Sequence, residues 1–198
     1  YSPVLTWANP LMTRLEPQSL VPLFGEHPVE MGMAGKETQM LDALRQDANY
    51  RRLFQEAFGD RSITLSNLTK AIASFERSLI SMDSPYDRDR YKGDHSAISA
   101  SAKRGERLFN SERMECFHCH GGVTFSDSIH HERSGFTEIS FHNTGLYNID
   151  GQGAYPADDT GVKEITHQPT DMGRFKAPTL RNIALTAPYM HDGSIATL

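Results

Sequence analysis

The segment Cys116-Phe117-His118-Cys119-His120 has the residue types and spacing that bind haem covalently, and it holds both cysteines of the chain. Two thiols at this spacing can each add to a haem vinyl group, and a histidine directly after the second can bind the iron. The alternatives are a chance C-x-x-C, a redox dithiol or half of a zinc site. A dithiol does not need the trailing histidine, and a zinc site needs two more ligands at ordered spacing. We therefore predict haem c, with His120 as the proximal ligand.

The overall composition excludes some classes of function. The chain has 198 residues and a net charge of -5 at pH 7, with no run of Lys or Arg, which argues against a nucleic-acid partner. No apolar run approaches the roughly 18 residues of a membrane span. The sequence opens on Tyr1-Ser2-Pro3 without a signal peptide, which suggests a mature or trimmed product. Bacterial haem c is attached outside the cytoplasm, so we expect a periplasmic protein.

Apolar periodicity predicts a mainly α-helical fold with long irregular loops. Residues 1–36 are rich in Pro, Gly and Met and are expected to be loop-rich. Apolar residues at spacings of three and four, with capping signals at the ends, then predict four helices. They cover Glu37–Gln46, the segment from Asp47 to Gly59, Thr64–Ile80, and about Ser99–Asn110.

The remaining segments show weaker patterns. Ser81–Gly93 is expected to be a connector whose charged residues, Asp87 to Lys92, face solvent. Gly121–Gly173 has little periodicity, and a long irregular stretch in a folded domain is usually functional, so a haem could supply its core. Pro178 is expected to open a short helix through Leu185, and a further helix is expected to start at Thr197 as its N-cap.

Several short segments form a joint pattern around the haem motif: Pro28-Val29-Glu30-Met31-Gly32, Ala71-Ile72-Ala73-Ser74-Phe75-Glu76-Arg77, Gly105-Glu106-Arg107-Leu108-Phe109, Ala177-Pro178-Thr179-Leu180-Arg181-Asn182 and Thr186-Ala187-Pro188-Tyr189-Met190-His191-Asp192-Gly193. Over nearly all of its length the chain resembles the bacterial di-haem cytochrome c peroxidase and MauG superfamily. The stretch Leu5–Pro10, with Phe24–His27 after it, departs from the Trp-Asp-Gly-Arg pattern of ordinary peroxidases. It is similar to the MauG-related branch that includes the methanobactin-cluster enzyme MbnH, which oxidises a tryptophan on a partner protein.

The resemblance implies two haems in two cytochrome-c-like domains, one haem open to peroxide and the other six-coordinate. It makes the motif at Cys116–His120 the second one. The first motif would lie before Tyr1, and the sixth ligand of the second haem, a Met or Tyr, beyond Leu198. We therefore expect truncation at both ends. Residues 1–95 would be part of the peroxidatic domain without its haem motif, plus a connector, and 96–198 the C-terminal haem domain, truncated before the sixth-ligand helix.

The resemblance also implies three catalytic residues. Trp7, the only tryptophan, matches an electron-hopping station between the haems, although a core aromatic is the simpler role. Glu30 matches the distal acid, which would take a proton from bound peroxide and return it to the leaving oxygen. Burial would raise its pKa toward working pH; the alternative is a solvated turn residue. Gln18 matches a position that lines the same pocket.

Four further residues match positions around the second haem and a metal ion. Thr186 and Pro188 match residues whose backbone oxygens bind calcium, a hard cation that prefers oxygen ligands. The third protein ligand would lie upstream of Tyr1. His191 and Arg181 match residues near the propionates and edge of the second haem, and either could equally be a structural hydrogen-bonding group.

The resemblance thus implies a di-haem oxidoreductase that uses hydrogen peroxide to form high-valent haem iron, with charge relayed through Trp7. A protein tryptophan would be the substrate. One alternative is a cytochrome c peroxidase that takes electrons from a cytochrome or cupredoxin. The other is a non-enzymatic, one-haem electron-transfer protein.

Overall fold

The computed structural model describes residues 2–59, 63–135 and 140–198. Within these ranges the protein is mainly helical, as the sequence predicts, with one small antiparallel sheet and long irregular loops. The helices are α1 (Leu15–Gln18), α2 (Leu20–Phe24), α3 (Glu37–Gln46), α4 (Ala48–Phe58), α5 (Leu65–Ser78), α6 (Pro85–Tyr91), α7 (Ala100–Phe109), α8 (Phe117–His120) and α9 (Lys163–Thr166). The strands are β1 (Phe141–Asn143) and β2 (Arg174–Lys176), and short 3-10 helices cover Pro169–Asp171 and Ile183–Leu185.

One compact unit, Met12–Ile80, contains α1 to α5. Its three longer helices lie where periodicity predicts them. The Asp47 side chain caps α4 by accepting from two backbone N–H groups, and Thr64 caps α5. Gly59 ends α4 at a φ of 76°, a left-handed conformation that glycine adopts without steric cost. Phe54, Ile63 and Ala73 form the buried apolar core of this unit.

The second compact unit contains Tyr1–Leu11 and Ser81–Leu198. In its sheet, β1 and β2 pair with Phe141 opposite Lys176 and His142 opposite Phe175. The buried apolar side chains of this unit are Val4, Tyr155, Val162 and Ala177. Residues from both ends of the chain therefore share one core with the segment that carries the haem motif.

The prediction that Ser81–Gly93 is a solvated connector is wrong. This segment contains α6, which starts at a capping box between Ser84 and Asp87, with Pro85 in the first turn. Asp87 and Asp89 are buried, because each carboxylate meets a cation from another element. Asp87 pairs with Arg181, and Asp89 lies 2.9 Å from the Lys103 ammonium.

Other segments differ from the sequence predictions in smaller ways. Residues 1–36 include the short helices α1 and α2. The helix predicted from Pro178 to Leu185 is reduced to the 3-10 turn Ile183–Leu185, because Asn182 takes a left-handed φ of 61° that interrupts helical geometry. The segment Gly121–Gly173 is largely irregular where it is described; residues 136–139 of it lie outside the described ranges. The helix start at Thr197 stays a prediction, since only Leu198 follows that N-cap.

The boundary between the two compact units lies between Ile80 and Ser81, and residues 1–11 belong to the same unit as the haem motif. The functional assignment of 1–95 and 96–198 to two haem domains stays a prediction. Among the helices of the described ranges, none has the length and hydropathy needed to cross a membrane.

Candidate haem site

The predicted haem motif forms one helical turn. Cys116 precedes α8 as its N-cap, and the His120 N–H donates to the Cys116 carbonyl at 2.9 Å. Both thiols are free and half-buried. Burial raises the pKa of the Cys119 thiol, and the nearby negative charge of Asp127 adds to this effect. Both cysteines and the histidine are thus available on one short element for covalent attachment and iron binding.

The ring of His120 is oriented by a backbone carbonyl. Its Nδ1 atom lies 3.1 Å from the carbonyl oxygen of Phe125. We assign the proton to Nδ1, because a carbonyl oxygen can only accept. The other ring nitrogen, Nε2, then carries the lone pair that a metal requires. A hydrogen bond of this kind fixes both the tautomer and the plane of a ligating imidazole.

The loop after α8 is folded back onto the motif by its own backbone. The Asp127 N–H donates to the Cys119 carbonyl at 2.8 Å, and the Ser126 N–H donates to the Gly121 carbonyl at 3.0 Å. The buried Ser126 hydroxyl donates to the Ala177 carbonyl at 2.7 Å. These bonds hold Phe125 at a φ of 52°, which is uncommon for a residue other than glycine. The carbonyl that orients His120 therefore belongs to a tightly constrained turn.

Arg181 also contacts this loop. Its guanidinium donates twice to the Val123 carbonyl, at 2.9 and 2.6 Å, and forms two bonds of 2.8 Å to the Asp87 carboxylate. A fifth bond reaches the Ser81 carbonyl at 2.7 Å. Arginine has five N–H donors, and all five have protein acceptors here. This arrangement favours the structural role of Arg181 over the predicted contact with a haem propionate.

A cleft of about 490 Å³ opens beside His120. Its wall includes the rings of Tyr86, Phe109 and Phe125, which pack edge to face with centroid separations of 5.0 and 6.1 Å. Arg90 and Arg107 also line it and could pair with carboxylates. Thiols, an oriented imidazole, an aromatic wall and two cations form a residue set that fits haem c. Sequence reasoning missed Tyr86 and Phe125, although Phe109 lies in one of the quoted segments.

Trp7 and His191 lie side by side in the same compact unit. Trp7 is 42% exposed, and its ring meets His191 edge to face, with 6.4 Å between ring centroids. Its carbonyl accepts the Lys176 N–H at 2.7 Å. The ammonium of Lys176 donates to the Val4 carbonyl at 3.1 Å, and burial lowers the pKa of this group. Trp7 is thus fixed by its backbone while its ring stays partly accessible.

His191 is held by a carboxylate and by an aromatic ring. Its Nε2 lies 2.8 Å from the Asp159 carboxylate, and its ring stacks on Phe175 at a centroid distance of 3.6 Å. Its side chain is nearly buried. Both alternatives for His191, a haem-edge residue and a structural hydrogen-bonding group, are compatible with this environment.

The other predicted site residues have less defined surroundings. Glu30 is exposed, so the burial expected to tune a distal acid is not supplied by the described residues. Gln18 is half-buried at the end of α1. Thr186 and Pro188 are both exposed. Calcium takes six to eight oxygen ligands, so two residues would form only part of such a site.

Comparison with known proteins places these observations in context. Residues 1–96 match the family described as di-haem cytochrome c peroxidase. The methylamine utilization protein MauG of Methylophilus methylotrophus is 38% identical over an alignment of 200 positions, which covers 97% of this chain and 52% of that protein. The cytochrome c peroxidase Ccp of Escherichia coli K12 is 34% identical over 172 residues, 87% of this chain and 34% of that protein.

A solved structure is similar over the whole chain. It is the crystal structure of a MauG-like protein associated with microbial copper homeostasis, with a TM-score of 0.90 and 48% identity. The similarity covers 100% of this chain and 57% of that one. This chain therefore spans about half, or less, of the length of the relatives it matches.

Proposed function

We propose a function from one premise: this chain belongs to the di-haem cytochrome c peroxidase and MauG family. The chain would be part of a periplasmic di-haem c-type oxidoreductase that reacts with hydrogen peroxide. The observation that carries this proposal is the turn Cys116–His120, with the His120 ring oriented by Phe125 at the edge of an aromatic cleft. The number of haems, the activity and the location of the whole protein are part of the proposal.

Two haem c groups would supply the redox chemistry of the whole protein: one iron, held outside this chain, would react with peroxide, and the haem of the Cys116–His120 motif would accept or release electrons. Cys116 and Cys119 would hold this haem through thioethers, and His120 Nε2 would bind its iron. Phe125 keeps His120 in the required tautomer through its carbonyl oxygen. Aromatic rings of the cleft wall would pack against one side of the group.

Glu30 and Gln18 belong to the proposed peroxidatic pocket. The Glu30 carboxylate takes a proton from peroxide and returns it to the departing oxygen, which is general acid–base catalysis. Gln18 orients the peroxide by hydrogen bonding. Thr186 and Pro188 contribute backbone oxygens to a calcium ion whose other ligands come from elsewhere in the protein or from water.

Trp7 is the proposed electron-transfer residue. Its indole ring is oxidised by one electron and later reduced again. The positive charge of the oxidised ring is stabilised by the neighbouring His191, which is hydrogen-bonded to the Asp159 carboxylate. The backbone bond from Lys176 keeps the ring in position during this cycle.

Two substrates are consistent with family membership. The finer proposal is oxidation of a tryptophan on a partner protein, as in the MbnH branch, and the 48% identity to a MauG-like protein supports it. The second candidate is reduction of peroxide with electrons from a cytochrome or cupredoxin, supported by the similarity to the Escherichia coli peroxidase.

One experiment separates these candidates. The full-length, haem-loaded protein is mixed with peroxide, which is expected to change its visible absorbance. The decay of this absorbance change is then followed in the presence of a reduced cytochrome, a reduced cupredoxin or a tryptophan-containing partner protein. Rapid oxidation of the small redox proteins supports a peroxidase, whereas a stable mass increase on the partner's tryptophan supports the MauG-related activity. Absence of any spectral change with peroxide overturns the proposed function, and a one-haem electron-transfer protein would then be favoured.

A further inference from the structure

Two tyrosines continue the row of rings that starts at Trp7. Tyr155 lies 6.4 Å from His191 and 5.4 Å from Tyr147, measured between ring centroids. Trp7 contacts the same histidine, also with 6.4 Å between ring centroids. A chain of neighbouring π-systems therefore connects Trp7 with Tyr147 inside one compact unit.

The two tyrosines differ in the groups that bind their hydroxyls. The buried Tyr155 hydroxyl donates to the amide oxygen of Asn143 and accepts the Leu146 N–H, both at 3.1 Å. The Tyr147 hydroxyl donates to the Asp192 carboxylate at 2.5 Å. An amide oxygen is a very weak base, whereas a carboxylate can accept a proton. Of this pair, Tyr147 has a partner that can accept its phenolic proton.

This difference decides which ring can be oxidised. A phenol that loses an electron becomes a strong acid, so its oxidation is favourable only when a base takes the proton at the same time. Asp192 is ionised, with its pKa lowered to about 2: burial opposes this, but the bonds from Tyr147 and Ser194 outweigh it. The same carboxylate raises the pKa of Tyr147, so the phenol keeps its proton until it is oxidised.

We propose that Tyr147 is a second redox site of this protein, with Asp192 as its proton acceptor, and this inference rests on the proposed function. Trp7, when oxidised by one electron, accepts an electron from Tyr147 through the Tyr155 and His191 rings. The Tyr147 O–H bond breaks, the proton goes to Asp192, and a neutral tyrosyl radical remains. Trp7 returns to its resting state. The oxidant is Trp7 in its one-electron-oxidised form, which the reaction of the protein with peroxide supplies.

The position of Tyr147 gives this step a consequence. Tyr147 is partly accessible and Asp192 is exposed, whereas Tyr155 is buried. An oxidising equivalent on Tyr147 therefore reaches the protein surface, where an external one-electron donor can reduce it. Asp192 then returns the proton to the phenolate oxygen.

The test uses the full-length, haem-loaded protein with ring-deuterated tyrosine. Peroxide is added, samples are freeze-quenched, and electron paramagnetic resonance detects a radical whose spectrum narrows with the label. We expect a tyrosyl signal in the wild type and in the control Tyr155→Phe, a loss in Tyr147→Phe, and a strong decrease in Asp192→Asn. Each variant is first checked by its absorbance and thermal unfolding.

Haem absorbance, recorded in parallel, separates this inference from the proposed function. If the haems react with peroxide but no tyrosyl signal forms, or if Tyr147→Phe retains the signal, the inference is overturned and the proposed function stands. If the haems do not react, the proposed function fails. In that case a photosensitiser flash is used as the oxidant in place of peroxide. A deuterium-sensitive tyrosyl signal that persists in Tyr147→Phe under these conditions overturns the inference.

Discussion

Arg181 and Asp87 form a two-bond ion pair with N–O distances of 2.8 Å, although 94 residues separate them in the sequence. The exposed fractions of the two side chains are 8% and 3%. Because Arg181 also donates to the Val123 carbonyl, the pair connects the start of α6 to the loop that orients His120. Two residues that do not line the cleft thus help to hold the loop that orients the proposed iron ligand.

Removing this ion pair is expected to destabilise the fold strongly. Asp87→Asn leaves the buried Arg181 guanidinium without its counter-charge, which typically costs about 3–5 kcal/mol of unfolding free energy. Chemical denaturation followed by circular dichroism measures the change. Glu56→Gln is the matched control, because Glu56 and Arg52 form an exposed pair at 2.8 Å within α4. Such a pair contributes only about 0.3–0.5 kcal/mol. Equal losses in the two variants would show that the buried pair has no special role.

The same carboxyl group is expected to make stability depend on pH. Hydrogen bonds from Arg181, and then from Ser84, hold the pKa of Asp87 well below its usual range despite its burial. Its contribution is therefore complete above the unfolded-state pKa of about 3.9 and is lost as the pH falls below that value toward the folded-state pKa. As the pH is lowered from about 5 to about 2, urea midpoints should fall more steeply for the wild type than for Asp87→Asn, with the difference developing below about pH 4. Parallel curves would contradict this assignment.

The two histidines of α8 should behave differently when replaced. His120→Ala is expected to retain thioether-linked haem but to lose the imidazole ligand, which shifts the visible absorbance and the paramagnetic spectrum of the haem. His118→Ala is the control within the same turn, because His118 is exposed and points to Glu112 at 3.5 Å. Identical spectra for His120→Ala and the wild type would exclude His120 as the ligand.

Replacement of Glu30 tests the proposed acid–base role. In the full-length protein, Glu30→Gln should slow the spectral change after peroxide addition by about 10²–10⁴, the usual contribution of a positioned acid–base group. Glu26→Gln, at a second exposed carboxylate of the same segment, should leave the rate unchanged. Stopped-flow absorbance gives both rates. A wild-type rate in Glu30→Gln would remove Glu30 from the mechanism.

Local signals predicted the elements that depend on local physics. Apolar periodicity and capping residues identified α3, α4, α5 and α7, because each helix is defined by its own stripe and its own ends. The helix α6 was missed although Ser84, Pro85 and Asp87 carry a local capping signal. The burial of Asp87 could not be predicted locally, since it depends on an arginine that is distant in sequence. Phe125 was missed for a related reason: its contribution is a backbone carbonyl, and any residue type supplies one.

The most direct test of the account is the state of the two cysteines in the full-length protein. Peptide mass spectrometry after proteolysis and acid extraction measures whether haem remains bound to the peptide that contains Cys116 and Cys119. We predict that this peptide carries the mass of one haem through two thioether bonds and that haem staining persists on a denaturing gel. Recovery of the peptide with two free thiols, and of all haem in the acid extract, would contradict the central claim.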